Sequence, residues 1–188
     1  GVQLVSNPTA NLRLRSGVAP IASTLENGGL AFAIGLDGTG LDDDQDLWRE
    51  MRLLYLLQGG RSLTRRLTAR HIFDAATRVG GQVVNAADAA DYTVIDYRAL
   101  TAEALFDDVD EAEVLLTRMS TKYAEGLFVA GRGVMHRGEL TGIDFDAALA
   151  ELLAQARADQ PRLEKQRPLV GALSAATRAY YATWSGLS

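Results

Sequence analysis

Acid-base or nucleophilic chemistry in this chain has to come from His71, His136, its hydroxyls or its carboxylates, because the sequence contains no cysteine. Disulfides, zinc–thiolate sites and cysteine nucleophiles are excluded on that ground. His71 falls inside a helical pattern and His136 in a glycine-rich stretch, and neither opens an HxxxH or HxxEH metal motif. The GxSxG elbow of serine hydrolases is missing, as is the GxxxxGK[ST] loop for nucleotide phosphates. The glycines between 35 and 40 do not complete GxGxxG. Two sharper readings fall on the acidic stretch 37–46. Asp42, Asp44 and Asp46 have the alternate spacing that opens a calcium loop, but Leu47 stands where that loop needs glycine and Leu53 where it needs glutamate. Asp37-Gly38-Thr39-Gly40 differs from the Asp-Thr-Gly of aspartic peptidases by the intervening Gly38. What survives is a turn leading into an acidic helix start, where carboxylates cap amides and complement the helix dipole. No catalytic, cofactor-binding or metal-binding residue is nominated, no cofactor is expected, and the chain is expected not to be an enzyme.

The elements that would position any site come from periodicity. Residues 1–29 carry the turn pairs Asn7-Pro8, Ser16-Gly17, Ala19-Pro20 and Asn27-Gly28 with no sustained apolar period, so an irregular N-terminal arm is expected there. The run LAFAIGL at 30–36 has the length of a buried strand. Leu47, Met51 and Leu54 with Trp48 and Tyr55 form a broad apolar helical face that stops at Gly59-Gly60. A second helix places Ala69, Ile72, Phe73, Ala76 and Val79 on one side and is expected to close at Gly80-Gly81. Val83-Val84 and Tyr92–Tyr97 are β-branched or aromatic and are expected as short strands, with Tyr92 and Tyr97 packing side chains. A helix capped by Asp107 or Asp108 carries Val109, Ala112, Leu116 and Met119, and this part is expected to end at Gly126. LFVA is a strand candidate, and 131–142 reads as a turn-rich loop. Asp144 caps a helix expected to break before Pro161, and Pro168 opens the last one, with Leu169, Leu173, Ala176, Tyr180 and Trp184 in line. The fold class is therefore α+β, helix-dominated, with about five helices and a few short strands. Its divisions are the arm 1–29, a main domain 30–160, and a charged linker with C-terminal helix 161–188 belonging to that domain.

Charge narrows the partners. The 188 residues carry a net charge of −5, and the positive side chains are 17 Arg against two Lys, Lys122 and Lys165. Tight nucleic-acid binding draws mainly on phosphate neutralisation, so none is expected, although residues 61–70 form a local arginine patch. That patch is expected to be solvated or paired with the acidic 42–46 stretch. No window of about 18 apolar residues spans a bilayer, and no signal segment is visible, so no membrane is expected.

The blocks ARHIFDAATRVG, ADYTVIDYRALTAE and LTRMSTKYAEG, in this arginine-rich and cysteine-free background, resemble capsid proteins of totivirus-like double-stranded RNA viruses across residues 30–130. The resemblance implies a self-assembling shell subunit, or a fragment of one, whose partners are copies of itself or other subunits, in a virion or the cytoplasm. RLTARHIFDAATRVGG followed by NAADAADYTV is similar to pitrilysin-type metallopeptidase domains, with Gly80, Gly81, Asn85, Ala86, Asp91 and Thr93 as the matches. One extra residue separates Gly81 from Asn85, and the segment 47–57 reads LWREMRLLYLL where HxxEH would lie. That resemblance implies a non-catalytic subunit of a larger complex. The expectation is a structural protein; the alternatives are the peptidase-like subunit and an enzyme with an unrecognised site.

Overall fold

Residues 4–26, expected to be irregular, fold into a strand and two short helices. The computed structural model describes residues 3–26, 31–38, 40, 44–59, 67–86, 90–106 and 108–183. Leu30, Asp42, Arg61, Arg65, Arg66, Asp107 and Trp184, each of which entered the expectations above, lie outside the described residues. β1 (Leu4–Ser6) leads into α1 (Pro8–Arg13), then α2 (Ile21–Glu26) and β2 (Phe32–Ile34). Pro8 sits at the start of α1, where a missing N–H costs nothing, and the chain leaves that helix through Arg15 at φ 57° and Gly17 at φ 89°. β1 and β2 pair in parallel, with Leu4 opposite Phe32, Val5 opposite Ala33 and Ser6 opposite Ile34. Parallel neighbours need a crossover, and α1 with α2 supplies it.

Period-two alternation decides what each face of this pair does. Leu4, Phe32 and Ile34 pack into the core with Ile21, Met51, Leu54, Tyr55, Ile72 and Leu116. Val5 and Ala33 point the other way, where Val5 is 41% exposed. α3 (Leu47–Leu57) begins as expected: the Asp46 carboxylate accepts the Trp48 N–H at 2.9 Å, and Met51, Leu54 and Tyr55 are buried.

The second helix runs on where the double glycine is expected to stop it. α4 (Ala69–Asp74), a π turn (Ala75–Val79) and α5 (Gly80–Val83) succeed one another without a break. Thr68 opens the segment by accepting from the His71 N–H at 3.4 Å, while His71 Nδ1 accepts the Thr68 N–H at 3.2 Å. Gly80 and Gly81 lie inside the helix because Asn85, at φ 56°, supplies the left-handed cap four residues later. Val83 and Val84 are therefore the end of a helix and a turn.

β3 (Tyr92–Ile95), β4 (Ala124–Val129), β5 (Arg132–His136) and β6 (Glu139–Leu140) form an antiparallel sheet in that order. The stretch 131–142 is thus the second half of two hairpins. Ala130 and Gly131, then Arg137 and Gly138, all have positive φ, the geometry of tight two-residue turns whose twist suits the strands. Gly126 lies inside β4, and Tyr92 stacks on Phe128 at 4.5 Å, its cross-strand partner. α6 (Tyr97–Leu100) and α7 (Glu111–Arg118) connect β3 to β4. Asp110, not Asp108, caps α7, accepting from Ala112 and Glu113 at 2.8 Å and 3.3 Å. The Tyr55 hydroxyl donates to Glu113, and Arg52 donates to the Met119 carbonyl at 2.6 Å, so α3 and α7 are tied at both ends.

The described chain is a mixed α+β fold with two small sheets. It forms two compact units, Gly1–Thr141 and Gly142–Ser188. The second is one helix, α8 (Phe145–Ala182), capped by Asp144 as expected but unbroken at Pro161 and Pro168. Among the described residues no helix is long and apolar enough to cross a membrane.

Candidate active site

Because β1 and β2 are parallel, their carboxyl ends lie side by side, and the residues that leave the two strands meet there. Asn7 comes directly after β1; Gly35, Leu36 and Asp37 come after β2. Gly35 extends the pairing by donating its N–H to the Ser6 carbonyl at 2.9 Å. A Cβ on Gly35 would lie 2.4 Å from Asn7 Oδ1 and 3.1 Å from Val5 Cγ1. The glycine is what lets the Asn7 side chain lie across the end of β2. Two residues on, Asp37 adopts φ 65°, a left-handed conformation uncommon outside glycine, and its carboxylate accepts the Gly38 N–H at 2.8 Å. Asp37 is exposed, so a carboxylate held in a strained backbone stands open at the carboxyl edge of a parallel pair. In parallel α/β folds that edge is where ligands bind and where catalytic side chains cluster.

Behind this edge a second carboxylate is sealed from water. Glu50, on α3, is 0% exposed, and its Oε2 accepts the Thr9 N–H at 2.8 Å while Oε1 accepts from the Thr9 hydroxyl. Arg49 lies 3.4 Å from Glu50 Oε1 and 2.5 Å from Asp44. The buried charge is thus hydrogen-bonded and paired, as burial of a carboxylate requires.

The residues weighed from the sequence are dispersed. His71 is occupied in the cap of α4, and His136 ends β5, opposite Glu139 across a tight turn. Asp44 and Asp46 pair with Arg49 and Arg52 beside the start of α3. Arg70 pairs with Asp110 at 3.5 Å. There, burial of Asp110 is outweighed by the Glu113 and Ala112 amides and the Arg70 guanidinium, which hold its carboxyl below the ordinary value. A groove of about 430 Å³ lies elsewhere, lined by α6, α7 and the turn after it, with Glu103, Arg118 and Lys122 on its walls.

Residues 1–90 match the family model described as the amidohydrolase family. The chain is 28% identical over 161 residues to a 5-methylthioadenosine/S-adenosylhomocysteine deaminase of Dictyoglomus thermophilum, covering 80% of this chain and 37% of that protein. It is 38% identical over 80 residues to a 5'-deoxyadenosine deaminase of Methanococcus vannielii, covering 42% of this chain and 19% of the relative. Its fold is similar to an adenosine deaminase from Xanthomonas campestris crystallised with bound zinc, with a TM-score of 0.72 at 26% identity over 88% of this chain and 38% of that one. An atrazine chlorohydrolase from Arthrobacter aurescens shares the fold, with a TM-score of 0.68 at 22% identity over 82% of this chain and 36% of that one. The chain spans about a third of the length of the relatives it matches over most of its own length.

These matches overturn the resemblances to viral capsid and pitrilysin-type proteins, and with them the expectation of a structural, non-enzymatic subunit of a virion. The family-model match covers the segment that builds the carboxyl edge of β1 and β2. Sequence reasoning did not nominate Asp37 as a candidate because the informative signal is positional: an acid placed just past a glycine-ended apolar strand. Two of the similar structures hold zinc. Among the described residues no group of three His, Cys, Asp or Glu is placed to hold a metal ion, so these side chains do not compose a zinc site by themselves.

Proposed function

We propose that this chain forms part of an amidohydrolase-type enzyme that removes an amino group hydrolytically from an adenine-bearing nucleoside. Asp37 carries the reading: a strained, exposed carboxylate at the carboxyl end of a parallel strand, inside the segment that matches the family. The deaminases among the relatives supply the substrate class. In such a reaction water adds at the carbon bearing the amino group and ammonia leaves. Asp37 takes the proton from the attacking water and returns it to the departing nitrogen, work that a carboxylate placed at hydrogen-bond reach performs at a gain of roughly 10²–10⁴ in rate. No step is assigned to the buried Glu50.

The test is ammonia release from adenosine, 5'-deoxyadenosine and S-adenosylhomocysteine by the polypeptide that carries these residues. Turnover of at least one is expected, and Asp37→Asn is expected to lower kcat by about 10² or more. Silence with all three, or an Asp37→Asn variant as active as its parent, would overturn the proposal.

A further inference from the structure

We infer that Glu50 is a positioning residue: by capping α1 in place of Asn7, it frees the Asn7 amide to face the site edge beside Gly35 and Asp37. Three observations carry this. Asn7 occupies the N-cap position of α1, where Asn normally accepts an amide hydrogen from the first turn, yet it makes no side-chain cap hydrogen bond. The amide that an N-cap would take, that of Thr9, is held at 2.8 Å by Glu50, a carboxylate reaching from α3 and fully buried. The Asn7 side chain, so released, has its Oδ1 against Gly35, in space that any β-carbon there would occupy.

Direction is set by the pleat. Val5, which is exposed, and Ala33, which is buried, share the face opposite Leu4, Phe32 and Ile34, and Asn7 and Gly35, two residues further along each strand, lie on the same face as Val5 and Ala33. Asp37 lies two residues beyond Gly35. Asn7 therefore stands on the face of the pair that exposes Val5, half-buried beside Gly35, where a side-chain amide, a donor and acceptor at once, suits a ligand with both kinds of group, such as a heterocycle bearing an amino group. That last step rests on the hydrolase reading above; the exchange of caps does not.

The experiment separates the two. In the full chain with asparagine and threonine labelled in ¹⁵N, Glu50→Ala is expected to move both the Thr9 backbone amide and the Asn7 side-chain amide resonances. Glu50→Gln, which keeps an acceptor for the Thr9 amide, is expected to leave the Asn7 resonances in place. Asn7→Ala is expected to leave the Thr9 amide where it was. A Thr9 amide that moves with Asn7→Ala means that Asn7 is the cap and overturns the inference, a result readable even if Glu50→Ala does not fold. So does a folded Glu50→Ala chain with the Asn7 resonances unmoved. In the ammonia assay Asn7→Ala is expected to raise KM several-fold with kcat held. Unchanged KM overturns the ligand-facing role while leaving the reading of Asp37 intact, whereas loss of the Asp37 effect alone leaves the exchange of caps standing.

Discussion

Arg78 donates to both oxygens of Asp74, at 2.6 Å and 2.5 Å, one helical turn apart along the segment that contains the π turn. Hydrogen bonding by Arg78, against the opposing effect of burial, holds the Asp74 carboxyl below its ordinary value of 3.8. A carboxyl whose folded value is depressed adds stability above its unfolded value and loses that contribution as pH falls through the folded one. Wild type is therefore expected to melt slightly above Arg78→Ala near neutral pH, with the gap closing below about pH 4; melting curves across that range check it. The pair is open to inspection in the sequence as an Asp and an Arg four apart. Asp37 is not, because its meaning comes from lying at the end of one strand while a second, some thirty residues earlier, runs parallel to it. Local motif rules compare its neighbours with known triplets and find a turn, which it also is. Glu50 likewise reads as one more acid in the first turn of a helix. Only the packing of α3 against α1 shows it to be buried and bonded to Thr9.

At the scale of elements, apolar periodicity carries α3, the start of α4, and α7, and the capping rule places Asp144 at the head of α8. It fails where a breaker is overruled by its surroundings. Gly80-Gly81 remain helical because Asn85 takes the left-handed position, and the glycines at 131 and 138 are hairpin turns instead of loop filler. Pro161 and Pro168 stay inside a 38-residue helix otherwise rich in Ala, Leu and Arg. Each interior proline removes a backbone hydrogen bond and disfavours the helix by about 3 kcal/mol relative to alanine. Pro161→Ala and Pro168→Ala are thus expected to raise the helical signal in far-ultraviolet circular dichroism and its persistence on heating, and a signal that falls would contradict a continuous α8.

For the molecule as a whole, Ile72 and Leu116 mark where the first unit is held together. Both are 0% exposed in the cluster that joins β2, α3, α4 and α7. Ile72→Ala is expected to cost about 2–5 kcal/mol in denaturant unfolding, since the surrounding helices cannot all close on the space left behind. The class of fold is legible because it needs only counts and periods. The likeness to the amidohydrolase family model is not, since none of the local catalytic motifs named above occurs in these residues, which span only about a third of the relatives' length. The parallel pair also bears on how the protein behaves in the tube. β1 is bonded to one strand neighbour among the described residues, so it presents an outer row of amide and carbonyl groups, and on it Val5 is 41% exposed. Such edges recruit strands from other copies. Static light scattering is expected to rise with concentration, and Val5→Lys, which sets a charge on that face, is expected to suppress the rise. How concentrated a solution stays clear then depends on a three-residue strand and one valine as well as on the net charge of −5.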